Sequence, residues 1–239
     1  MSAETVLRTE DLTVSYGTGC ALRELELTVA RGRITTIIGS NGAGKTTLMR
    51  AVAGLRRPSR GRITFHGTDL SGLTTDRIVR LGIALVPEGR RLFGGMTVRE
   101  NLEIGAYLRA DAAAVRRDFE RVLGYFPGIR DRLATSCDLL SGGQQQMVSI
   151  GRALMAAPKL LMLDEPSIGL APNIVSTIGQ IIKSISKDGV DILLVEQNAK
   201  MALRIAHDAY VLESGVITLQ GEASEIESSP AVREAYLGL

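Results

Sequence analysis

One segment constrains the fold of this chain more than any other. The run GSNGAGKTT begins at Gly39 and matches the pattern G-x-x-x-x-G-K-[ST] at Gly39, Gly44, Lys45 and Thr46. It follows the apolar stretch TTIIG and opens KTTLMRAVAGL, which has the residue pattern of a helix. A strand, a glycine-rich loop and a helix in this order form a phosphate-binding loop. The segment therefore predicts an α/β protein that binds a nucleotide.

The residue types in this loop suit phosphate chemistry. Glycines let backbone N–H groups approach the phosphates without a Cβ, and the helix N-terminus adds favourable dipole charge. Lys45 would place a positive charge on the phosphates, and the Thr46 hydroxyl would ligate Mg²⁺. A flexible glycine turn before a helix would explain the glycines but not the Lys-Thr pair. We expect the whole loop to contact the nucleotide, that is Gly39, Ser40, Asn41, Gly42, Ala43, Gly44, Lys45, Thr46 and Thr47.

Two further apolar runs end in polar side chains. KLLMLDEP ends in Asp164 and Glu165, and LLVEQN ends in a polar group that includes Gln197. Ligands of open parallel sheets bind past the carboxyl ends of the strands. In phosphate-loop enzymes an acid in this place holds Mg²⁺, the role expected of Asp164. Glu165 would polarise the attacking water, so the pair, beside the phosphate loop, indicates nucleotide hydrolysis.

The order of predicted elements indicates an α/β fold with a helical insertion. Short strands dominate up to IALVP, the character is helical from about Met96 to Ala156, and strands then alternate with helices. Alternating elements imply a mainly parallel sheet with crossover helices. We predict a single domain over 1–239, with 1–95 and 157–239 as the catalytic core and 96–156 as a helical subdomain.

Composition excludes several classes of protein. The 28 basic and 26 acidic residues leave a net charge of +2, and Trp is absent, so nucleic acid is not expected as a partner. No window approaches the ~20 apolar residues of a membrane helix. The opening MSAETVLRTEDL has no apolar core, so a signal peptide is not expected. Cys20 and Cys137 are expected to be free thiols.

The segment LLSGGQQQ decides the subclass. Ser141, Gly142 and Gly143 precede a helix that is expected to begin near Gln144, which makes a second anion-binding helix N-terminus. A capping serine would explain Ser141 alone. Together with the phosphate loop and the acid pair, this segment resembles the ATP-binding subunits of ABC (ATP-binding cassette) transporters, and the resemblance covers essentially the whole chain.

The resemblance implies a fold, ligands and a dimer. The fold is the ABC-type P-loop NTPase fold: a mainly parallel core sheet with N-terminal antiparallel strands and an inserted helical subdomain. The ligands are ATP and Mg²⁺, and Tyr16 matches the aromatic residue that stacks on adenine. In this family the signature sequence of one subunit closes over the ATP held by the other. The ATP-contacting residues would then include Ser141, Gly142, Gly143 and Gln144.

Three positions depart from the common family pattern. Glu88 stands where many members carry a glutamine, and we expect it to contribute to the metal site. Ala171 and Pro172 replace the aspartate of the usual S-x-G-L-D segment. Gln197 stands where many members carry a histidine that contacts the γ-phosphate. Its amide can donate a hydrogen bond to phosphate but cannot carry a charge near neutral pH.

Several separate segments are similar to one subgroup, the LivF-type ATPases of branched-chain amino acid importers. These segments are VPEGRRLF, MTVRENL, EPSIGLAP, LLVEQNA and REAYLGL. The likeness implies a cytoplasmic ATPase on the inner face of the cell membrane, bound to two membrane permease subunits. A second related ATPase, or a second copy of this chain, and an external substrate-binding protein would complete the importer. The loop from Glu88 to Thr97, with Gly94 and Gly95 supplying flexibility, would contact the permease.

Two alternatives remain open from the residues. Importers of urea or amides use similar ATPases, and some ABC proteins act in translation or repair without a permease. The latter usually carry tandem cassettes, long insertions or basic arms, and no such feature is visible in this sequence.

Overall fold

The computed structural model of the chain describes residues 4–238. The first three letters of MSAET and the last letter of REAYLGL lie outside the described residues. The strands are β1 (Thr5–Tyr16), β2 (Gly19–Ala30), β3 (Ile34–Ile38), β4 (Arg60–Phe65), β5 (Thr68–Asp69), β6 (Ile83–Val86), β7 (Leu160–Asp164), β8 (Asp191–Glu196), β9 (Asp208–Glu213) and β10 (Val216–Glu222).

The helices lie in the longer connections between strands and after β10. They are α1 (Lys45–Val52), α2 (Thr75–Leu81), α3 (Val98–Ile104), α4 (Ala112–Tyr125), α5 (Pro127–Arg130), α6 (Gly142–Leu154), α7 (Pro172–Lys187), α8 (Ala199–Ile205), α9 (Ala223–Ser228) and α10 (Pro230–Val232), which continues as a π-helical turn, Arg233–Leu237. A 3₁₀ turn, Cys137–Leu139, leads into α6. Among the described helices, none is long and apolar enough to cross a membrane.

The strands form two sheets, as the ABC-type fold predicts. A four-stranded antiparallel sheet has the order β2-β1-β4-β5, and a six-stranded sheet has the order β10-β9-β3-β8-β7-β6. In the larger sheet β9, β3, β8, β7 and β6 are parallel, and only β10 is antiparallel. The predicted mainly parallel core and the antiparallel N-terminal strands are both confirmed.

Burial on both faces explains why the central strands consist mostly of apolar residues. Every residue of β3, β7 and β8 is buried. Helices cover one face of the core sheet, and the N-terminal sheet with α1 and α2 covers much of the other, so each face packs into its own apolar cluster. Strands buried in this way lose the polar alternation of a half-exposed strand. Charged residues are confined to the ends of these strands: Asp191 begins β8, and Asp164 and Glu196 end β7 and β8.

The chain between β6 and β7 contains α3 to α6, and capping sets where two of these helices begin. The Thr97 side chain accepts from the Glu100 amide, and Glu100 accepts in return from the Thr97 amide. Ser141 and Gln144 form the same reciprocal pair at α6, so that helix begins at Gly142, two residues before the position expected from sequence. The division of the chain into a core and a helical subdomain stays a prediction.

We predict that Gly105→Ala destabilises the protein. Gly105 ends α3 against α6, and a Cβ there would lie 2.0 Å from the Arg152 carbonyl oxygen. Because this neighbour is backbone, the two helices would have to separate, at a cost of about 1–3 kcal/mol. Chemical denaturation monitored by circular dichroism measures the loss.

Gly124→Ala is the matched control within α4. A Cβ at Gly124 meets nothing within 4 Å, so alanine should raise the free energy of unfolding by about 0.5–1 kcal/mol. Equal stability of the two variants would contradict the close packing of α3 against α6.

Candidate functional site

Two positions of the phosphate loop accept only glycine. A Cβ at Gly39 would lie 2.3 Å from the Leu212 carbonyl oxygen of β9. Gly44 has φ +113°, and its Cβ would lie 2.8 Å from the Ala21 carbonyl oxygen. The loop is therefore pressed against β9 and β2, and this contact orients the start of α1.

Lys45 is buried at the centre of the loop. Its ammonium donates to the carbonyl oxygens of Gly39 at 2.7 Å and Ser40 at 3.0 Å, and it lies 3.1 Å from a carboxylate oxygen of Glu165. An ammonium has three N–H donors, so these three acceptors satisfy it. The ion pair joins two segments that are far apart in sequence, the phosphate loop and the end of β7.

The predicted metal-binding side chains converge beside this pair. The Thr46 hydroxyl donates to an Asp164 carboxylate oxygen at 3.2 Å. A cavity of about 290 Å³ is lined by Ala21, Asn41, Gly42, Gly44, Lys45, Thr46, Thr47, Glu88, Glu165 and Ile168. It therefore brings together the phosphate loop, the exposed Glu88 after β6 and Glu165 after β7. A larger cavity, of about 920 Å³, lies between α7 and α8 and contains none of the predicted site residues.

The site carries an excess of negative charge. Burial raises the pKa of Asp164 to about 6; the Thr46 hydrogen bond opposes this rise, and the nearby carboxylates of Glu165 and Glu88 add to it. Lys45 is the single cation among the residues that line the cavity. A divalent cation would offset the remaining negative charge.

The donors at this site suit Mg²⁺ that arrives with a nucleotide. Within residues 4–238, no three His, Cys, Asp or Glu side chains converge closely enough to hold a metal ion by themselves. Mg²⁺ prefers oxygen ligands and commonly binds through one or two carboxylates together with substrate phosphates. Thr46 and Glu88 line the cavity, and Asp164 is hydrogen-bonded to Thr46 beside it. These three side chains supply such oxygens, and therefore they fit the ion.

Glu165 has a strained backbone. Its φ is +50°, in the left-handed region that non-glycine residues rarely adopt. Such a conformation costs of order 1–3 kcal/mol and persists only where neighbouring contacts hold it. The Glu165 amide donates to the Val195 carbonyl oxygen at 2.9 Å, which extends the pairing of β7 with β8 beyond the end of β7.

Gln197 lies on the other side of Glu165. A second cavity, of about 300 Å³, is lined by Glu165, Ser167, Ile168, Glu196, Gln197 and Asn198. Gln197 is exposed, whereas Glu196 before it is buried. Sequence reasoning singled out Gln197 and passed over Glu196. The signal in the sequence for Glu196 was an acid placed directly after the apolar run ILLV.

Tyr16 ends β1 outside the cavity of the phosphate loop. The Arg56 guanidinium lies 4.2 Å from the centre of the Tyr16 ring, and Arg56 also donates to the Ser15 carbonyl oxygen. One face of the ring is thus covered by a cation. The ring is 41% exposed, so an accessible surface remains for a base.

The signature residues lie apart from both cavities, at the start of α6. A Cβ at Gly143 would lie 2.8 Å from the Ile174 side chain, and a Cβ at Gly142 would lie 3.0 Å from the Arg90 guanidinium. Arg90 also donates to Gln145 at 3.1 Å, and its φ is +63°. The loop that begins at Glu88 therefore contacts the start of α6 directly, which sequence reasoning did not anticipate.

The loop before α3 is held more tightly than its two glycines suggest. The buried Asn101 side chain accepts from the Phe93 amide and donates to the Phe93 and Thr97 carbonyl oxygens, each within 3.1 Å. A Cβ at Gly94 would lie 2.0 Å from an Asp138 carboxylate oxygen. The Asp138 side chain therefore packs directly against Gly94, whereas a Cβ at Gly95 would meet nothing within 4 Å. That these two glycines supply flexibility stays a prediction.

A phosphate loop, a strand-end acid pair and a parallel sheet define a P-loop nucleotide hydrolase. The ABC transporter family model matches residues 22–168, so the chain belongs to the ABC transporter ATP-binding proteins. It is an ABC transporter ATPase that binds ATP.

Curated relatives match over nearly the full length. The chain is 44% identical to the high-affinity branched-chain amino acid transport ATP-binding protein BraG of Pseudomonas aeruginosa, covering 98% of this chain and 100% of the relative. It is 33% identical to a probable branched-chain amino acid transport ATP-binding protein, LivF, of Archaeoglobus fulgidus, covering 98% and 99%. It is also 34% identical to a lipopolysaccharide export ATP-binding protein, LptB, of Haemophilus influenzae, covering 98% and 97%.

Solved structures agree with this fold. A crystal structure of the ADP conformation of an ATP-binding cassette of an ABC transporter superimposes with a TM-score of 0.88 at 28% identity, covering 99% of this chain and all of that chain. A nucleotide-free cassette superimposes with a TM-score of 0.86, also at 28% identity, with the same coverage.

We predict that Asp164→Asn stabilises the protein in the absence of nucleotide and metal. The raised pKa means that the folded chain binds this proton more tightly than the unfolded chain. The contribution of Asp164 to the free energy of unfolding therefore falls as pH rises from about 4 to about 6. A rise in pKa from 3.8 to about 6 corresponds to up to about 3 kcal/mol. Asparagine does not ionise, so the variant should be the more stable by up to this amount near neutral pH.

Denaturation of both proteins across pH measures the effect. The advantage of Asp164→Asn should shrink as pH falls and approach zero below about pH 3, where Asp164 is protonated in both the folded and the unfolded chain. Asp76→Asn is the control, because Asp76 is exposed and the pKa of this carboxyl is lowered by the Thr74 hydroxyl. A pH-independent advantage for Asp164→Asn would contradict the charge argument.

Proposed function

We propose that this ATPase drives the import of branched-chain amino acids. The observation that carries the proposal is the 44% identity to BraG over the full length of that relative. The similarity to LptB, a lipopolysaccharide export ATP-binding protein, shows that family membership alone does not select the cargo. The identity to BraG, 44%, exceeds the 34% identity to LptB, and this difference, together with the segments shared with LivF-type ATPases, favours amino acid import.

ATP binding is proposed to rearrange the buried ion pair. The phosphates would lie along the loop amides and accept hydrogen bonds from Lys45, whose three donors now go to two carbonyl oxygens and Glu165. Thr46, Asp164 and Glu88 would hold Mg²⁺, which neutralises charge on the phosphates. Once Lys45 bonds to phosphate, the Glu165 carboxylate is released and can face a water molecule.

Glu165 is proposed to act as the general base, and Gln197 as the residue that contacts the γ-phosphate. Both line the 300 Å³ cavity, next to the cavity of the phosphate loop. A positioned base contributes typically 10²–10⁴-fold to rate. The Gln197 amide can donate a hydrogen bond to a phosphate oxygen but cannot shuttle a proton near neutral pH.

The start of α6 is proposed to complete the ATP site of a second ATPase subunit. Ser141 is exposed, and α6 has thirteen residues, so its N-terminal amides and dipole favour an anion. These residues lie apart from the cavities of their own chain, which supports a role across a dimer interface. The partner subunit would be a related ATPase or a second copy of this chain.

An exposed apolar patch near the end of α3 supports a membrane permease as partner. Tyr107 is 83% exposed, and Ile104 and Leu108 beside it are also exposed. These three side chains border a cavity of about 560 Å³ between α2 and α3. Burying this patch on two permease subunits would hold the ATPase on the inner face of the cell membrane, with an external substrate-binding protein opposite.

We predict that Glu165→Gln retains ATP binding and loses most hydrolysis. The amide preserves the shape of the side chain but cannot accept a proton from water, so turnover should fall by about 10²–10⁴-fold. Phosphate release and equilibrium binding of a fluorescent ATP analogue separate the two effects. Size-exclusion chromatography with ATP should show an accumulated dimer.

Glu120→Gln is the matched control. Glu120 lies on α4 and forms an exposed ion pair with Arg130 of α5. The substitution makes the same change of charge there, and a surface ion pair contributes little to stability. Its hydrolysis should equal that of the wild type. Unchanged hydrolysis by Glu165→Gln would overturn the assigned role.

We predict that the wild-type chain co-purifies from membranes with permease subunits and that Tyr107→Ser weakens this association. Loss of an exposed aromatic anchor at an interface typically costs about 1–4 kcal/mol of binding. Hydrolysis by the isolated subunit should stay unchanged, because Tyr107 lies outside the nucleotide cavity. Mass spectrometry identifies the permease and the binding protein that accompany it.

Val216→Ser on β10 is the control for this patch. Val216 is 39% exposed and lies on the opposite edge strand of the core sheet. It should leave permease association unchanged. Recovery of a urea or amide permease, or of ribosomes in place of any permease, would contradict the proposed cargo.

A further inference from the structure

We propose that Glu196 is a positioning residue that holds Glu165 and Gln197 in their catalytic arrangement. The inference rests on the roles proposed above for these two residues and adds a third carboxylate that acts through them. Glu196 ends β8, directly before Gln197, and it is 1% exposed.

The Glu196 carboxylate is fully engaged by the protein. One oxygen accepts from the Ser167 amide at 2.9 Å, and the other accepts from the Ser167 hydroxyl at 2.9 Å and from the Asn198 amide at 3.2 Å. With both oxygens occupied and almost no exposure, Glu196 does not reach a substrate. Its effect must therefore pass through the residues that it holds.

These hydrogen bonds join the two loops that carry the proposed catalytic side chains. Ser167 is two residues after Glu165, and Asn198 is one residue after Gln197. The three hydrogen bonds that Glu196 accepts thus form a clamp between Ser167 and Asn198. The Glu165 amide donates to the Val195 carbonyl oxygen, one residue before Glu196. One buried side chain thus sets the spacing between the general base and the amide that contacts the γ-phosphate.

Backbone strain at Glu165 gives the clamp a function beyond stability. The residue has φ +50°, and a strained conformation needs contacts on both sides to persist. The Lys45 ion pair holds its side chain, but in the proposed mechanism that contact is released when Lys45 bonds to phosphate. The contacts through Val195 and Glu196 would then be the ones that keep Glu165 directed at the water.

The donor set explains why a carboxylate is required at this position. Three N–H or O–H donors point at Glu196, and a carboxylate accepts through two oxygens without presenting a donor of its own. A glutamine has one oxygen, and its NH₂ group would face at least one of these donors. Glu196→Gln therefore keeps the size of the side chain but leaves a buried donor unpaired.

The test compares the kinetics and nucleotide affinity of Glu196→Gln with those of the wild type. A displaced base should lower kcat by about 10²-fold, while affinity for a fluorescent ATP analogue stays unchanged because the phosphate loop is untouched. Gln197→Ala should cost less in the Glu196→Gln background than alone, because the amide is already misplaced. Wild-type kcat, or fully multiplicative losses in the double variant, would overturn the proposal.

Asp191→Asn separates positioning from general destabilisation. Asp191 begins the same strand, is also buried, and accepts from the Gly32 amide at 2.6 Å at the opposite end of the sheet. It should change the melting temperature without changing kcat. If Glu196→Gln fails to fold, Ser167→Ala tests the proposal instead, because it removes the hydroxyl donor of Ser167 and leaves the Glu196 carboxylate in place. A lower kcat with unchanged affinity in Ser167→Ala supports the clamp, and an unchanged kcat overturns it.

The outcome is distinguishable from failure of the proposed function. If Glu165→Gln hydrolyses ATP normally, the general-base assignment fails, whatever Glu196 does. If Glu165→Gln is inactive and Glu196→Gln is fully active, the base assignment stands and only the positioning role of Glu196 is lost.

Discussion

The parallel pairing of three buried strands is the constraint on which the site depends. In β3, β8 and β7, Ile38 pairs with Glu196, and Asp164 pairs with Val195. All three strands therefore end at one level, and the segments that follow them meet at one edge of the sheet. A shift of one residue in either pairing would turn each side chain to the opposite face. The apolar contacts on both faces of the sheet thus set the geometry of a polar site.

The site combines buried charge with strain, and both are features that a ligand can relieve. One ammonium faces the carboxylates of Glu88, Asp164 and Glu165, and burial raises the pKa of Asp164. Glu165 has left-handed backbone as well. Buried carboxylates and a left-handed non-glycine residue both reduce the stability of the folded chain. Such features cluster at functional sites, where the surrounding structure holds them in place. Binding of ATP with a divalent cation would neutralise the excess of negative charge. Part of the free energy of ATP binding would then hold Glu165 in its strained orientation.

Contacts outside the strand ends connect this site to the helical segment. Arg90 follows Glu88 by two residues and lies against Gly142 at the start of α6. Arg152 of the same helix donates to the Arg90 and Arg91 carbonyl oxygens. Asn101 fixes the loop between Phe93 and Thr97. A movement of the loop that follows Glu88 would therefore displace contacts at the start of α6 and at α3, whose end lies beside the exposed patch around Tyr107.

The sequence by itself determined the fold class and most of the candidate nucleotide-site residues. The glycine loop, the apolar runs that end in Asp164 and Glu196, and the pair Ser141 and Gln144 act over a few residues, so local spacing reveals them. The short helices α5 and α9, the clamp made by Glu196 and the approach of Arg90 to Gly142 depend on segments far apart in the chain. Only the tertiary structure decided these, because an isolated acid, arginine or glycine carries no local signal of which distant group will be its neighbour.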